Sequence, residues 1–149
     1  MPDSLTRLAI LAGATLFVAI IVWSGRLFVE HQRKLALAAA PLADLPAGSR
    51  SELARGKARI LFFSSADCSQ CHTLQEPALR RLRELRGDAV DVVEIDAPSS
   101  PGLARRYRIL TLPSTVVLNA EGEAHAINYG FANIKKLREQ VEAALSPVR

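Results

Sequence analysis

The only two cysteines of the chain, Cys68 and Cys71, stand three residues apart and are followed at once by His72. Three chemistries use such a cluster. A C-x-x-C pair can exchange disulfides, a C-x-x-C-H run can carry covalent haem with the histidine on iron, and Cys68, Cys71 and His72 together can hold copper or zinc. The haem reading lacks the usual Met/His axial pair, because the only methionine is Met1; His125 is left as a second ligand, on what reads as an exposed strand. The metal reading supplies three ligands within five residues, short of a closed tetrahedral zinc site. Disulfide exchange needs one sulfur that attacks and one that resolves. A helix opening at Cys68 makes the two inequivalent: unpaired N–H groups and the helix dipole favour a thiolate at the first cysteine, below its ordinary value of about 8.5. Cys71, one turn on, is covered by the helix body and within reach of Cys68, which suits it to resolve.

The flanking sequence supplies the elements that would position this pair. Arg59-Ile60-Leu61-Phe62-Phe63 is an apolar run suited to a strand covered on both faces, and it stops at Ser64-Ser65-Ala66-Asp67. A helix is expected from about Cys68 to Arg86, with Cys71, Leu74, Ala78, Leu82 and Leu85 as its apolar stripe, the arginines Arg80, Arg81, Arg83 and Arg86 as a solvated face, and Gly87 as its end. Val90 to Ile95 reads as a second strand, parallel to the first by way of that crossover helix. A short helix over Gly102 to Tyr107 follows. Ser114 to Leu118 and Glu123 to Tyr129 form a hairpin around Asn119-Ala120-Glu121-Gly122, and a last helix runs from Asn133 to Leu145, burying Ile134, Leu137, Val141 and Leu145. The expected fold class is α/β, with a central mixed sheet of about four strands flanked by helices.

Upstream the composition changes. Leu8 to Gly25 holds 18 residues without a charge, roughly 27 Å of helix, close to a hydrocarbon core of about 30 Å, with Trp23 where an interfacial aromatic belongs. The small residues Ala38-Ala39-Ala40 lie too far beyond it for a signal-peptidase site, so the reading is an uncleaved anchor. Residues 1–29 are taken as the anchor, 30–56 as an Ala- and Pro-containing juxtamembrane stalk and 57–149 as the globular domain. The short N-terminal tail before the apolar run has a signal-anchor layout, which places the chain in the cell membrane as a single-pass protein with its domain outside the cytoplasm. Arg26, Arg33 and Lys34 beyond the span count in the opposite sense. Nineteen basic and fifteen acidic residues, net +4 over 149 residues, are interspersed, which argues against a nucleic-acid partner.

From roughly Lys57 to Leu145 the chain resembles the thioredoxin family. The resemblance lies in the C-x-x-C after a strand, the strand around Val92 to Asp96, the segment Tyr107-Arg108-Ile109-Leu110-Thr111-Leu112-Pro113-Ser114-Thr115 with its proline 42 residues after Cys71, and the Glu121-Gly122-Glu123 turn. It implies a thioredoxin-like fold and a thiol–disulfide oxidoreductase with Cys68 and Cys71 as the catalytic pair. It also implies a cis proline at Pro113 facing the disulfide, a groove for substrate shaped by Thr111, Leu112 and Pro113, and no dissociable cofactor or metal. The partners implied are protein thiols and disulfides, with a membrane thiol reductase or oxidase among them. Four features depart from the family. Asp67 stands where tryptophan is common, Ser69-Gln70 where Gly-Pro is common, and Phe62 at the place of a buried carboxylate. Pro77 lies six residues after Cys71 where the family's kinking proline lies five after, so a displaced kink is expected. A copper-binding or redox-inert module on the same fold is the alternative reading.

Overall fold

The computed structural model describes residues 2–38 and 56–146, without the side chains of residues 2–5. Of the 30–56 span read as a stalk, residues 39–55 lie outside the described residues. By its internal contacts the chain divides into two units, residues 1–34 and residues 35–149. The first consists of most of helix α1 (Pro2–Leu37). Its 18-residue apolar stretch has a mean hydropathy of 2.2, and among the described residues it is the one helix long and apolar enough to cross a membrane.

The second unit is built on a four-stranded sheet in the order β2-β1-β3-β4. Strand β1 (Ala58–Ser64) is buried along its whole length, as its continuous apolar run requires of a central strand. It pairs in parallel with β2 (Val90–Asp96), Ala58 opposite Val90 and Ser64 opposite Asp96, and antiparallel with β3 (Ser114–Leu118), Phe63 opposite Ser114. The expected hairpin joins β3 to β4 (Ala124–Tyr129), with a register shift at Val117 and Leu118. In its turn the Asn119 carboxamide oxygen accepts from the N–H groups of Glu121 and Glu123.

Alternation along β1 divides the core into two layers. Ala58, Ile60 and Phe62 face helix α2 (Glu76–Arg86) and helix α4 (Ile134–Leu145), packing with Leu79, Leu82, Leu137, Val141 and Cys71. Leu61 and Phe63 face the other way, with Ile95, Val116 and Tyr107 next to the short helix α3 (Pro101–Arg106). Arg59 lies on that second face with a side chain only 2% exposed, and its Nε donates to Asp91 Oδ2 at 2.8 Å. The pair compensates a charge that would otherwise be buried at high cost. Helix α4 starts at Asn133, whose side chain accepts from the Lys136 N–H at 2.9 Å, and α2 ends at Gly87, held at φ +51°, where a side chain would be strained.

Phe63 and Tyr107 meet edge to face, ring centroids 6.2 Å apart. Burial pushes the Tyr107 phenol up from 10.0 to about 12, opposed by the Arg106 guanidinium. Between those values the unfolded chain releases a proton that the folded chain keeps, so stability present below pH 10 is lost as pH rises toward 12. An ultraviolet phenolate titration is expected to show Tyr107 ionising only in step with the loss of tertiary circular dichroism. A phenolate appearing at Tyr107 near pH 10 in the intact fold would contradict its burial.

Two expectations for the crossover helix are corrected. Leu74 and Leu85 do not belong to its buried stripe: they are 47% and 58% exposed. The stripe instead runs Cys71, Gln75, Leu79, Leu82. Gln75 lies four and seven residues before Leu79 and Leu82 and so shares their face, and the chain before α2 makes a π-turn over Cys71–Gln75, in which the Glu76 N–H donates to the Cys71 carbonyl five residues back. This wide turn takes up the extra residue between Cys71 and Pro77.

Candidate functional site

Strand β1 leaves the sheet at Ser64, parallel β2 leaves it at Asp96, and antiparallel β3 enters it opposite Phe63. The loop carrying Cys68 and the loop carrying Pro113 are therefore at the same end of the sheet. The Ala97 N–H extends the β1–β2 ladder to the Ser64 carbonyl at 2.9 Å, and the Ser64 hydroxyl donates to Glu94 Oε1 at 2.6 Å, fixing the strand just before it turns toward the cysteines.

Cys68 precedes the first helical residue, Ser69, and its N–H donates to the Ser65 carbonyl at 3.0 Å. Cys68 and Cys71 are joined in a disulfide with their Cα atoms 5.3 Å apart. The two sulfurs are not equivalent. Cys71 is fully buried in the layer beneath α2, whereas Cys68 is half-buried and packs against the edge of the same layer. The Cys71 N–H points at Cys68 Sγ, 3.2 Å away, and also at the Cys68 carbonyl at 3.0 Å. An N–H held on Sγ stabilises negative charge there. Beneath the pair the place of the family's carboxylate is apolar: Phe62 is 2% exposed in the same layer as Cys71. His72 faces outward, Nε2 3.3 Å from the Ala66 carbonyl and Nδ1 3.6 Å from Glu76 Oε2.

The second loop holds the residues expected to shape a groove. The Leu112–Pro113 peptide bond is cis, and Pro113 is buried. Leu112 is half-buried and touches both core layers, while Thr111 is exposed with its carbonyl accepting from the Ser114 hydroxyl at 2.6 Å. The Gly130 N–H donates to the Pro113 carbonyl at 2.8 Å and ties the segment after β4 to this loop. The same segment is held from the other side by Gln75. This side chain is fully buried, its Oε1 accepts from the Ala132 N–H at 2.8 Å and its Nε2 donates to the Ala132 carbonyl at 3.1 Å. Gln75 was not singled out in the sequence, where it stands as a polar residue beside the expected stripe of Cys71, Leu74 and Ala78. Its one available signal is the extra residue before Pro77. No group of three or more His, Cys, Asp or Glu side chains able to hold a metal occurs among the described residues.

Comparison with known proteins agrees with this geometry. Thioredoxin Y of the chloroplast of Oryza sativa subsp. japonica is 29% identical over 86 residues, which is 58% of this chain and 50% of that protein. The chain thus spans about half the length of the curated relative it matches. Among solved structures, a mutant thioredoxin from Halobacterium salinarum superposes with a TM-score of 0.58 at 23% identity, over 71% of this chain and 90% of that one. The germline-specific thioredoxin Deadhead from Drosophila melanogaster gives 0.55 at 25% identity, over 64% and 89%. These likenesses establish the thioredoxin fold. The description of one family, "TraF: F plasmid transfer operon protein", fits residues 52–142, more than half of the chain and the whole of the site. With its C-x-x-C after the central strand and a cis proline in the loop at the same end of the sheet, the chain belongs to the TraF family and to the thioredoxin-like proteins.

Proposed function

We propose that the chain is a membrane-tethered thiol–disulfide oxidoreductase acting on protein substrates. The observation that carries this reading is the inequivalent disulfide, with a buried Cys71 and a half-buried Cys68 whose Sγ lies 3.2 Å from the Cys71 N–H. In the dithiol form, the Cys68 thiolate attacks one sulfur of a substrate disulfide, and the other substrate sulfur leaves as a thiolate that takes a proton from water. Cys71, having lost its proton to solvent, then attacks Cys68 Sγ. The second substrate thiol departs, the Cys68–Cys71 disulfide forms, and two electrons have passed to the substrate. The oxidised form runs the same steps in reverse. Thr111, Leu112 and Pro113 shape the groove in which the substrate strand lies. Covalent haem at the C-x-x-C-H run would need both sulfurs for thioether bonds, and here they are bonded to each other.

Residues 8–25 anchor the chain in the cell membrane, residues 1–29 forming the anchor, 30–56 the stalk and 57–149 the domain, which lies on the extracytoplasmic side. The apolar stretch of α1 supports this placement. Protein thiols and disulfides are the partners, and a membrane thiol reductase or oxidase resets the pair.

Intact cells expressing the full chain are treated with a membrane-impermeant maleimide, before and after mild reduction. No label before reduction and labelling of Cys68 after it are the expected result. A pair that resists reduction overturns the exchange reading, and labelling that needs lysis overturns the orientation. The equilibrium potential against glutathione then gives the direction, about −270 mV marking a reductant and about −120 mV an oxidant.

A further inference from the structure

Two parts of the chain distant in sequence meet at the site: the turn from Cys71 to Gln75 and the loop of Pro113. The connector from β4 to α4, residues 130–132, is bonded to both. The Gly130 N–H donates to the Pro113 carbonyl at 2.8 Å, and the Gln75 carboxamide takes up both backbone groups of Ala132. The elements on either side of this connector are held without Gln75. Strand β4 is laddered to β3 as far as Tyr129, and the carboxamides of Asn128 and Gln140 bond each other at 2.8 and 3.0 Å, tying β4 to α4. Helix α4 has its own cap at Asn133. Gln75 is fully buried on the face of Leu79 and Leu82, a place that an apolar side chain would fill without the cost of desolvating a carboxamide. What the carboxamide adds there is its clamp on Ala132, which is itself fully buried. Without the clamp the Ala132 N–H and C=O lose these partners away from water, a penalty that the connector relieves by moving outward. Gly130, and the Pro113 carbonyl bonded to it, move with the connector.

We propose that Gln75 is a positioning residue for the substrate groove: it ties the turn that begins at Cys71 to the connector bonded to Pro113, and so sets the spacing in which a polypeptide disulfide lies. A small disulfide reaches Cys68 without needing that spacing. The inference rests on the exchange reading above and assigns Gln75 to the binding of polypeptide, not to the reactivity of either sulfur.

The test compares a small and a polypeptide disulfide on the full-length protein in detergent. In Gln75→Met, which keeps the buried volume and removes both bonds, the reduced protein is expected to react with 5,5′-dithiobis(2-nitrobenzoate) within about twofold of the wild-type rate. Turnover of insulin disulfides, with dithiothreitol as reductant, is expected to show a KM raised at least about fivefold and a kcat within about twofold, the pattern of lost binding rather than lost chemistry. Hydrogen exchange at the Gly130 and Ala132 amides should quicken at least about tenfold while that at Asn128 and Leu137 is unchanged, which separates a loosened connector from a loosened domain. Should Gln75→Met not hold its fold, Gln75→Glu, which keeps an acceptor for the Ala132 N–H and loses the donor to its carbonyl, carries the same test. An unchanged KM, or a reaction with the small disulfide slowed as much as that with insulin, overturns the assignment. So does a wild type that reacts with the small disulfide and leaves insulin untouched. A wild type that reacts with neither overturns the exchange reading instead.

Discussion

Cys71→Ser is expected to accumulate covalent complexes with partner proteins on non-reducing gels, while Cys68→Ser forms few or none. The difference follows from burial and hydrogen bonding. Cys68 is half-buried, with the Cys71 N–H directed at its sulfur, and Cys71 is fully enclosed beneath α2. A substrate disulfide can reach the first sulfur and not the second. Removing Cys71 leaves the mixed disulfide with no intramolecular exit, and its lifetime then depends on external thiols. Removing Cys68 removes the attacking group, so turnover of a protein disulfide should fall by at least about a thousandfold, the scale on which loss of a nucleophile acts. Iodoacetamide should modify Cys68 first in the reduced wild type. Equal trapping by the two variants, or preferential alkylation of Cys71, would refute the assignment. Mass spectrometry of the trapped partners names the substrates.

The largest effect on stability is expected at Phe62. It sits on the central strand, opposite Glu94 on one side and Thr115 on the other, 2% exposed and in the same layer as Cys71 and Leu82. Phe62→Ala removes a ring from a site hemmed in by two strands and two helices, where collapse is restricted, and should cost about 3–5 kcal/mol. That is a large share of the about 5–15 kcal/mol that holds a domain together. Urea unfolding of the oxidised domain reads the loss as a fall in midpoint at unchanged slope. A loss below about 1 kcal/mol would mean that the layer under the cysteines repacks freely, and that Phe62 is not what fills the place of the family's carboxylate.

The sheet and its helices were largely legible in the sequence because their signals are local. The run Arg59 to Phe63, the alternation after Ser114, the Asn119 turn and the apolar spacing of α4 each determine an element without help from elsewhere. The cysteine pair was legible for the same reason. What escaped depends on partners distant in sequence. Arg59 reads as the polar end of an apolar strand until Asp91, 32 residues on, is seen to bond it. Leu74 and Leu85 fit one regular helical stripe with Ala78, but the face that is buried is the neighbouring one, through Gln75, Leu79 and Leu82, and periodicity alone does not choose between them. Gln75 took the inward place because Ala132 offered it two hydrogen bonds, a contact across 57 residues that no window along the chain contains.

The arrangement of the sheet also bears on how the protein is made. Residues 58–96 form a parallel β1–α2–β2 unit, and residues 114–129 form the β3–β4 hairpin; they are joined along the ladder of β1 with β3 and by the clamp from Gln75 to Ala132. Cys68 and Cys71 belong to the first unit and Pro113 with its loop to the second. During synthesis the sulfurs emerge before the loop of Pro113, and the late, long-range closure of β3 on β1 completes this end of the sheet. A nascent or destabilised chain therefore carries its two thiols without the loop that lies at the same end of the sheet. The cell's own oxidants and any neighbouring cysteine compete for Cys68 until that seam has closed.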